Sequence, residues 1–321
     1  MAELSVNLLG LRLVFSSVGL MGNTILIASI IKINFFHIKS FEIFLFGLAA
    51  ANLWEIVITN IYDIIILQTS STATGTWSCY LLEFMTVIGE INSIFFTVLI
   101  CIFRYQKLRD VNTRVNFPLF LDNIRSAWMV SGISVMLSVL LSVPMFVIDQ
   151  ESKAENVTRN SSVCPPDFFH CTQNHCPVFN SIYKYLFIVL CHLLPLIIVT
   201  VTSCLILAVL LSQRKTVTPA VNETGSSQFS RKSKDTKIQW STIAVLGAMG
   251  LFQVDWTIYL IFQLAFNPYE FLFWSEVQFF ITISYTSISP YMYMIGHNMI
   301  PLHSCKKGSF KGTVSDFVEV I

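Results

Sequence analysis

Seven stretches of this chain are long and apolar enough to cross a lipid bilayer, and that repetition restricts its fold more than any other feature. They are Leu8–Ile31, Ile43–Leu67, Cys79–Tyr105, Ile124–Ile148, Ile182–Leu211, Ile238–Phe266 and Phe271–Ile295. Each has about 24 residues or more, against the roughly 20 that span a hydrocarbon core as a helix. Inside lipid, backbone N–H and C=O groups must be satisfied within the protein, so such segments become helices. Composition agrees: hydrophobic residues make up 54% of the 321 and charged residues 12%, about half the charged share of a soluble domain. The chain reads as an all-α membrane protein, a seven-helix bundle over residues 1–295 and a short cytoplasmic tail, 296–321. Met1 to Asn7 lacks a basic stretch and no small-residue cleavage site follows the first apolar run. That span is expected to act as its own targeting signal.

The net charge of +1 conceals an asymmetry between the connections. With the amino terminus outside, sixteen of the twenty lysines and arginines fall on the inner side. Only Arg12, Lys153, Arg159 and Lys184 remain outside. Inner loops of membrane proteins carry the basic excess, so this arrangement is the expected one, with the carboxyl terminus in the cytosol. The outer side then holds Cys79, Cys164, Cys171 and Cys176, where disulfides persist, and four cysteines allow three complete pairings. It also holds two glycosylation sequons, at Asn156 and Asn160. Cys101, Cys191 and Cys204 lie within spans and read as small packing residues.

The third span carries Glu83, Glu90, Thr97 and Arg104 at intervals of seven residues. Seven residues are nearly two helical turns, so these side chains form one stripe. Ionisable groups in a membrane helix face protein, water or one another, and the stripe is expected to face the bundle interior. Further acids stand at Glu55, Asp63, Asp255 and Glu276. Glu55 and Asp255 read as packing polar groups, and His192 as a hydrogen-bonded polar residue. No phosphate-binding glycine loop, zinc-protease motif or nucleophile elbow is present, so no catalysis, cofactor or metal is expected. His170 and His175 near the loop cysteines read as loop residues. The basic residues lie in short loops rather than on one face, which gives no nucleic-acid signature.

Several local motifs, taken in order, carry a resemblance. Gly22-Asn23 stands in the first span and Leu48-Ala49-Ala50-Ala51-Asn52 in the second. Cys79 heads the third, which ends in Phe103-Arg104-Tyr105. Trp128, Pro195, the pair Phe252 and Trp256, and Ser289-Pro290-Tyr291-Met292-Tyr293 follow in the later spans. This set resembles the rhodopsin-like G-protein-coupled receptors over essentially the whole chain. Departures are equally specific: Asn52 and Ser289 replace the residues of a sodium pocket, Phe103 replaces an acid, and Ile258 replaces a proline. FRYQKLRD and SISPYMYMIGHN, with the short amino terminus, look most like vomeronasal type-1-like olfactory receptors. Bitter-taste receptors are the nearest competitor, although Cys79 and Arg104 follow the rhodopsin-like pattern.

The resemblance implies a chemosensory receptor for a small odorant or pheromone-like molecule, acting on a heterotrimeric G protein from the plasma membrane. It places Glu83, Thr86, Val87, Glu90 and Trp256 at the ligand, which several acids would make cationic or hydrogen-bonding. It places Arg104, Tyr105 and Tyr293 at the G protein. It also implies a bond from Cys79 to the second outer loop, with Cys176 the favoured partner and Cys164 and Cys171 the alternatives. Without the acid at position 103, Arg104 is expected to be held less tightly at rest. A transporter is the other class considered; seven spans without inverted repeats or paired broken helices weigh against it.

Overall fold

The computed structural model describes the backbone of residues 2–32, 38–69, 76–113, 120–144, 178–216, 227–266, 271 and 273–296. Side chains are described over most of these, excluding 2–7, 62–80, 111–120, 179, 213–240 and 275. Helices account for nearly all of it. They are α1 (Ala2–Lys32), α2 (Ser40–Thr69), α3 (Thr76–Thr113), α4 (Ile124–Ser142), α5, α6 (Ser227–Ala265) and α7 (Trp274–Gly296). Helix α5 has three parts: Val178–Phe187, a π-helical turn Ile188–Leu193, and Leu194–Thr216.

Several boundaries differ from expectation. Helix α3 continues past Tyr105 to Thr113 and α6 begins at Ser227, ahead of Ile238, because backbone helices can outrun the apolar segment they bury. Helix α4 ends at Ser142 rather than Ile148, and residues 145–150 lie outside the described ones. Its start is capped by Asn123, whose Oδ1 accepts from the Arg125 N–H at 3.1 Å. Among the described residues, six helices are long and apolar enough to cross a membrane. The seventh, α7, has the length, at 23 residues, and is more polar because its serines, threonines and tyrosines bind its neighbours.

Helix α3 is the hub, packing on α2, α4, α5 and α6, while α7 closes the circle between α6 and α1. Lipid tails are as apolar as leucine, so helices in a membrane associate through close packing and hydrogen bonds rather than through water exclusion. Both are visible. At the α1–α7 seam, the Ser287 hydroxyl donates to the Phe15 carbonyl at 3.0 Å and the Tyr291 hydroxyl to that of Val18 at 2.9 Å. Gly19 permits this approach: a Cβ there would lie 2.7 Å from Ile56 Cδ1 and 3.2 Å from the Ser287 Cα. Gly19→Val is therefore expected to cost about 1–3 kcal/mol through overpacking. A melting curve of purified protein equal to that of the parent would count against this seam.

Four helices meet in a polar knot. Asn52 Nδ2 donates to Asn23 Oδ1 at 3.2 Å and to Ser289 Oγ at 3.4 Å. Asn52 Oδ1 accepts from the Ser93 hydroxyl at 2.7 Å. Asn23 Nδ2 in turn donates to the carbonyls of Gly19 and Thr286, both at 2.9 Å. Asn23, Asn52, Ser93 and Ser289 are all buried, and each is neutral. The two positions that depart from the sodium-pocket pattern thus belong to a network that binds α1, α2, α3 and α7 with no charge.

Candidate functional site

The stripe on α3 faces inward as its spacing requires. Glu90 and Thr97 are buried, and Glu83 and Arg104 at its ends are half-buried. Near the Glu83 end, the π turn of α5 shapes the surroundings. Pro195 lacks an N–H and its ring crowds the carbonyl four residues back, which a widened turn relieves. The consequence is that two consecutive residues, Cys191 and His192, both point into the bundle and are buried.

His192 is enclosed by aromatic rings, with centroids 5.5 Å from Phe187, 5.0 Å from Trp256 and 4.9 Å from Tyr259. Its Nε2 lies 3.9 Å from Glu90 Oε1, too long for a hydrogen bond but within ion-pair range. Beside it lies a narrow cleft lined by Lys184, Phe187, Ile188, His192, Tyr259 and Gln263. Val87 joins Ile91, Tyr183, Phe187 and Cys191 in the adjoining apolar cluster. Of the expected ligand residues, Val87, Glu90 and Trp256 are therefore brought together around α5. None of the five expected residues lines the cleft itself, and Thr86 spends its hydroxyl on the Leu82 carbonyl of its own helix at 3.0 Å.

Of the other acids, the side chain of Asp63 lies outside the described ones, and Glu55, Asp255 and Glu276 sit elsewhere in the bundle. Glu276 pairs with Arg12 at 2.7 Å, whose guanidinium also lies 4.4 Å over the Phe279 ring. Asp255 Oδ2 accepts from the Ser284 hydroxyl at 2.8 Å. Glu55 is buried on α2, and the close approach of α3 at Gly89 places a would-be Cβ 3.1 Å from Glu55 Cβ. Glu55 and Asp255 are both buried within the bundle. His192 was read as an ordinary polar residue, and Lys184, Tyr259 and Gln263 were not singled out at all. The π turn is what unites them, and no motif announces it.

Aromatic and hydroxyl contacts lead from this site along the bundle. Trp256 meets Phe252 at 5.9 Å, Phe252 meets Tyr285 at 5.4 Å, and the Tyr285 hydroxyl bonds Thr97 at 2.6 Å. At the far end, the Arg104 guanidinium lies 3.8 Å over the Phe41 ring of α2. Phe103 stacks on Phe41 at 5.7 Å and meets Phe44 edge-on at 6.0 Å. Where an acid would have held the arginine, an aromatic latch does so instead. Arg104 is held, by a ring rather than by a charge. Tyr105 is half-buried beside it, and Tyr293 is fully buried in α7.

The model of the seven-transmembrane receptors of the rhodopsin family matches residues 22–305. The chain belongs to this family. No curated protein matches it in sequence. As a rhodopsin-family receptor it is a multi-pass protein of the plasma membrane and not an enzyme, and its partners are a small ligand and a G protein. The matched segment begins at Gly22-Asn23, and the geometry explains that pair. A Cβ at Gly22 would lie 2.6 Å from the Tyr291 ring, and Asn23 anchors the polar knot. Trp128, by contrast, is exposed on α4. The side chain of Cys79 lies outside the described residues, as do Cys164, Cys171, Cys176, Asn156 and Asn160.

Proposed function

We propose that this receptor is chemosensory, most similar to the vomeronasal type-1-like olfactory receptors. It binds a small external odorant or pheromone-like molecule between α3, α5 and α6 and activates a heterotrimeric G protein at the Arg104 end. The amino terminus lies outside and the carboxyl terminus in the cytosol, in keeping with sixteen basic residues of twenty on the inner side. The observation that carries the reading is His192, buried between Trp256 and Tyr259 beside Glu90 and forming part of a cleft wall. A ligand there touches a residue whose ring rests on Trp256, the first of the contacts that run through Phe252 and Tyr285 to Thr97. A molecule that moves His192 therefore has a physical route to α6 and α7, and differential binding to the two arrangements shifts the receptor towards activity. The Cys79–Cys176 bridge would tie the second outer loop above this cleft, and glycans at Asn156 and Asn160 would keep it soluble.

The test is an odorant screen with a G-protein readout in cells, with surface expression matched between variants. Hydrogen bonds to charged groups contribute about 1.5–3 kcal/mol, so Glu90→Gln is expected to weaken the response roughly tenfold or more. An unshifted dose–response curve would reduce Glu90 to a packing residue. Current or uptake without any G-protein response would favour the transporter class.

A further inference from the structure

The ring that lies against Arg104 comes from a helix end. Phe41 stands in the first turn of α2 (Ser40–Thr69), and such turns fray because their first N–H groups have no partner within the helix. A latch built there would open whenever the end opened, unless the end were fastened. It is fastened on both sides of Phe41. Before it, Ser40 is buried, and its hydroxyl donates to the main-chain carbonyl of Asp122 at 2.8 Å. After it, the buried Glu42 turns back, its Oε2 accepting the Lys39 N–H at 3.0 Å. The first of these ties leaves α2 for another element, the 3-10 turn Phe120–Asp122 that leads into α4. We infer that Ser40 is a positioning residue for G-protein coupling: through the Asp122 carbonyl it sets Phe41 against Arg104, so that the connection between α3 and α4 governs resting activity.

Three contacts close a circuit between the elements. Arg104 of α3 lies 3.8 Å over the Phe41 ring of α2. The adjacent Ser40 reaches Asp122, and Asp122 returns to α3, its Oδ2 2.9 Å from Lys107 Nζ. Lys107 is about one turn beyond Arg104 on the same helix. Leu121, in the middle of the 3-10 turn, is buried in the apolar cluster that also holds Phe41, Phe44 and Phe103. Packing therefore seats the turn beside the latch as well as hydrogen bonding. The two polar ties are unequal. The Lys107–Asp122 pair is about half exposed on both sides, and exposed pairs contribute little. Ser40, at 2% exposure, makes the sheltered tie, and a hydrogen bond removed from water is the harder one to replace. A partner that displaces the turn thus loosens the Phe41–Arg104 contact without touching either residue.

This inference rests on the reading that Arg104 couples to a G protein, and the experiment keeps the two apart. Agonist-free G-protein activation would be measured with the full-length receptor in cells at matched surface expression. The variants are Ser40→Ala, Ser40→Thr, Phe41→Leu and the double variant of Ser40→Ala with Phe41→Leu. Ser40→Ala is expected to raise basal activity about threefold. Ser40→Thr keeps the hydroxyl and should stay near the parent. Phe41→Leu removes the ring through which Ser40 acts, so the double variant should match Phe41→Leu alone. A merely structural loss would lower surface expression and signalling together and would not raise basal activity. An unchanged Ser40→Ala beside a raised Phe41→Leu overturns the inference and leaves coupling at Arg104 intact. A raised Ser40→Ala beside an unchanged Phe41→Leu, or a double variant that multiplies the two effects, also overturns it, since Ser40 would then act elsewhere. Activity equal to that of cells without receptor, in parent and variants alike, overturns the coupling reading and the inference with it.

Discussion

Arg104→Ala is expected to abolish agonist-stimulated G-protein activation while ligand affinity and surface expression stay unchanged. Arg104 lies fourteen residues beyond Glu90 on one continuous helix, about 21 Å along its axis, so ligand contacts do not involve it. Its guanidinium lies against the Phe41 ring, a contact that a G protein competing for the arginine would have to replace. A cation–π contact of this kind contributes about 1 kcal/mol, rising when desolvated. Phe41→Leu keeps most of the apolar volume and removes the ring face. It should raise agonist-free signalling about fivefold. Phe44→Leu alters the same cluster at Phe103 while leaving the Arg104–Phe41 contact in place, and should change basal activity much less. Surface-matched cells in one G-protein assay would measure all three. Equal basal activity in the Phe41 and parent receptors would mean that the latch does not hold the resting state. Normal signalling by the Arg104 variant would remove Arg104 from coupling.

The second large effect is on stability. Asn52→Leu removes the centre of the four-helix knot, leaving Asn23 Oδ1, Ser93 Oγ and Ser289 Oγ without their shared partner. Interhelical hydrogen bonds in membranes average about 0.6 kcal/mol and reach about 1.7. Three together, with orphaned partners left behind, give about 2–3 kcal/mol. Purified receptor in detergent should melt several degrees lower, and surface expression should fall severalfold. Asn52→Ser, which retains a donor and an acceptor, should recover part of the loss. If leucine leaves the melting curve unmoved, packing rather than the polar knot holds these helices.

What the sequence disclosed and what it hid divide along physical lines. The seven spans were legible because bilayer thickness imposes a length and an apolar content on each. The inward stripe of α3 was legible because seven-residue spacing fixes a helix face regardless of neighbours. Gly22, Asn23 and Asn52 were legible as a pattern, and the structure supplies its reason in the seam with Tyr291 and the knot. The π turn was not legible, since it depends on how α5 relieves the crowding at Pro195 while packing against α3. With it went the importance of His192, a residue whose identity says little until its burial among three rings is known. The partner of Arg104 was hidden for another reason. Phe103 signals that an acid is missing, but a replacement from α2, more than sixty positions earlier, leaves no mark in the local sequence. Likewise the pairing of Arg12 with Glu276 joins the first and last helices, and nothing in the local sequence of either residue marks it.

The most direct test places the purified receptor in lipid nanodiscs with a heterotrimeric G protein and follows nucleotide exchange. Odorants that score in the cellular screen should accelerate exchange by the parent receptor. They should fail to do so with Arg104→Ala, while Phe41→Leu should exchange faster than the parent before any odorant is added. Exchange that is indifferent to odorant, to Arg104 and to Phe41 alike would contradict the account of a chemosensory receptor released from an aromatic latch.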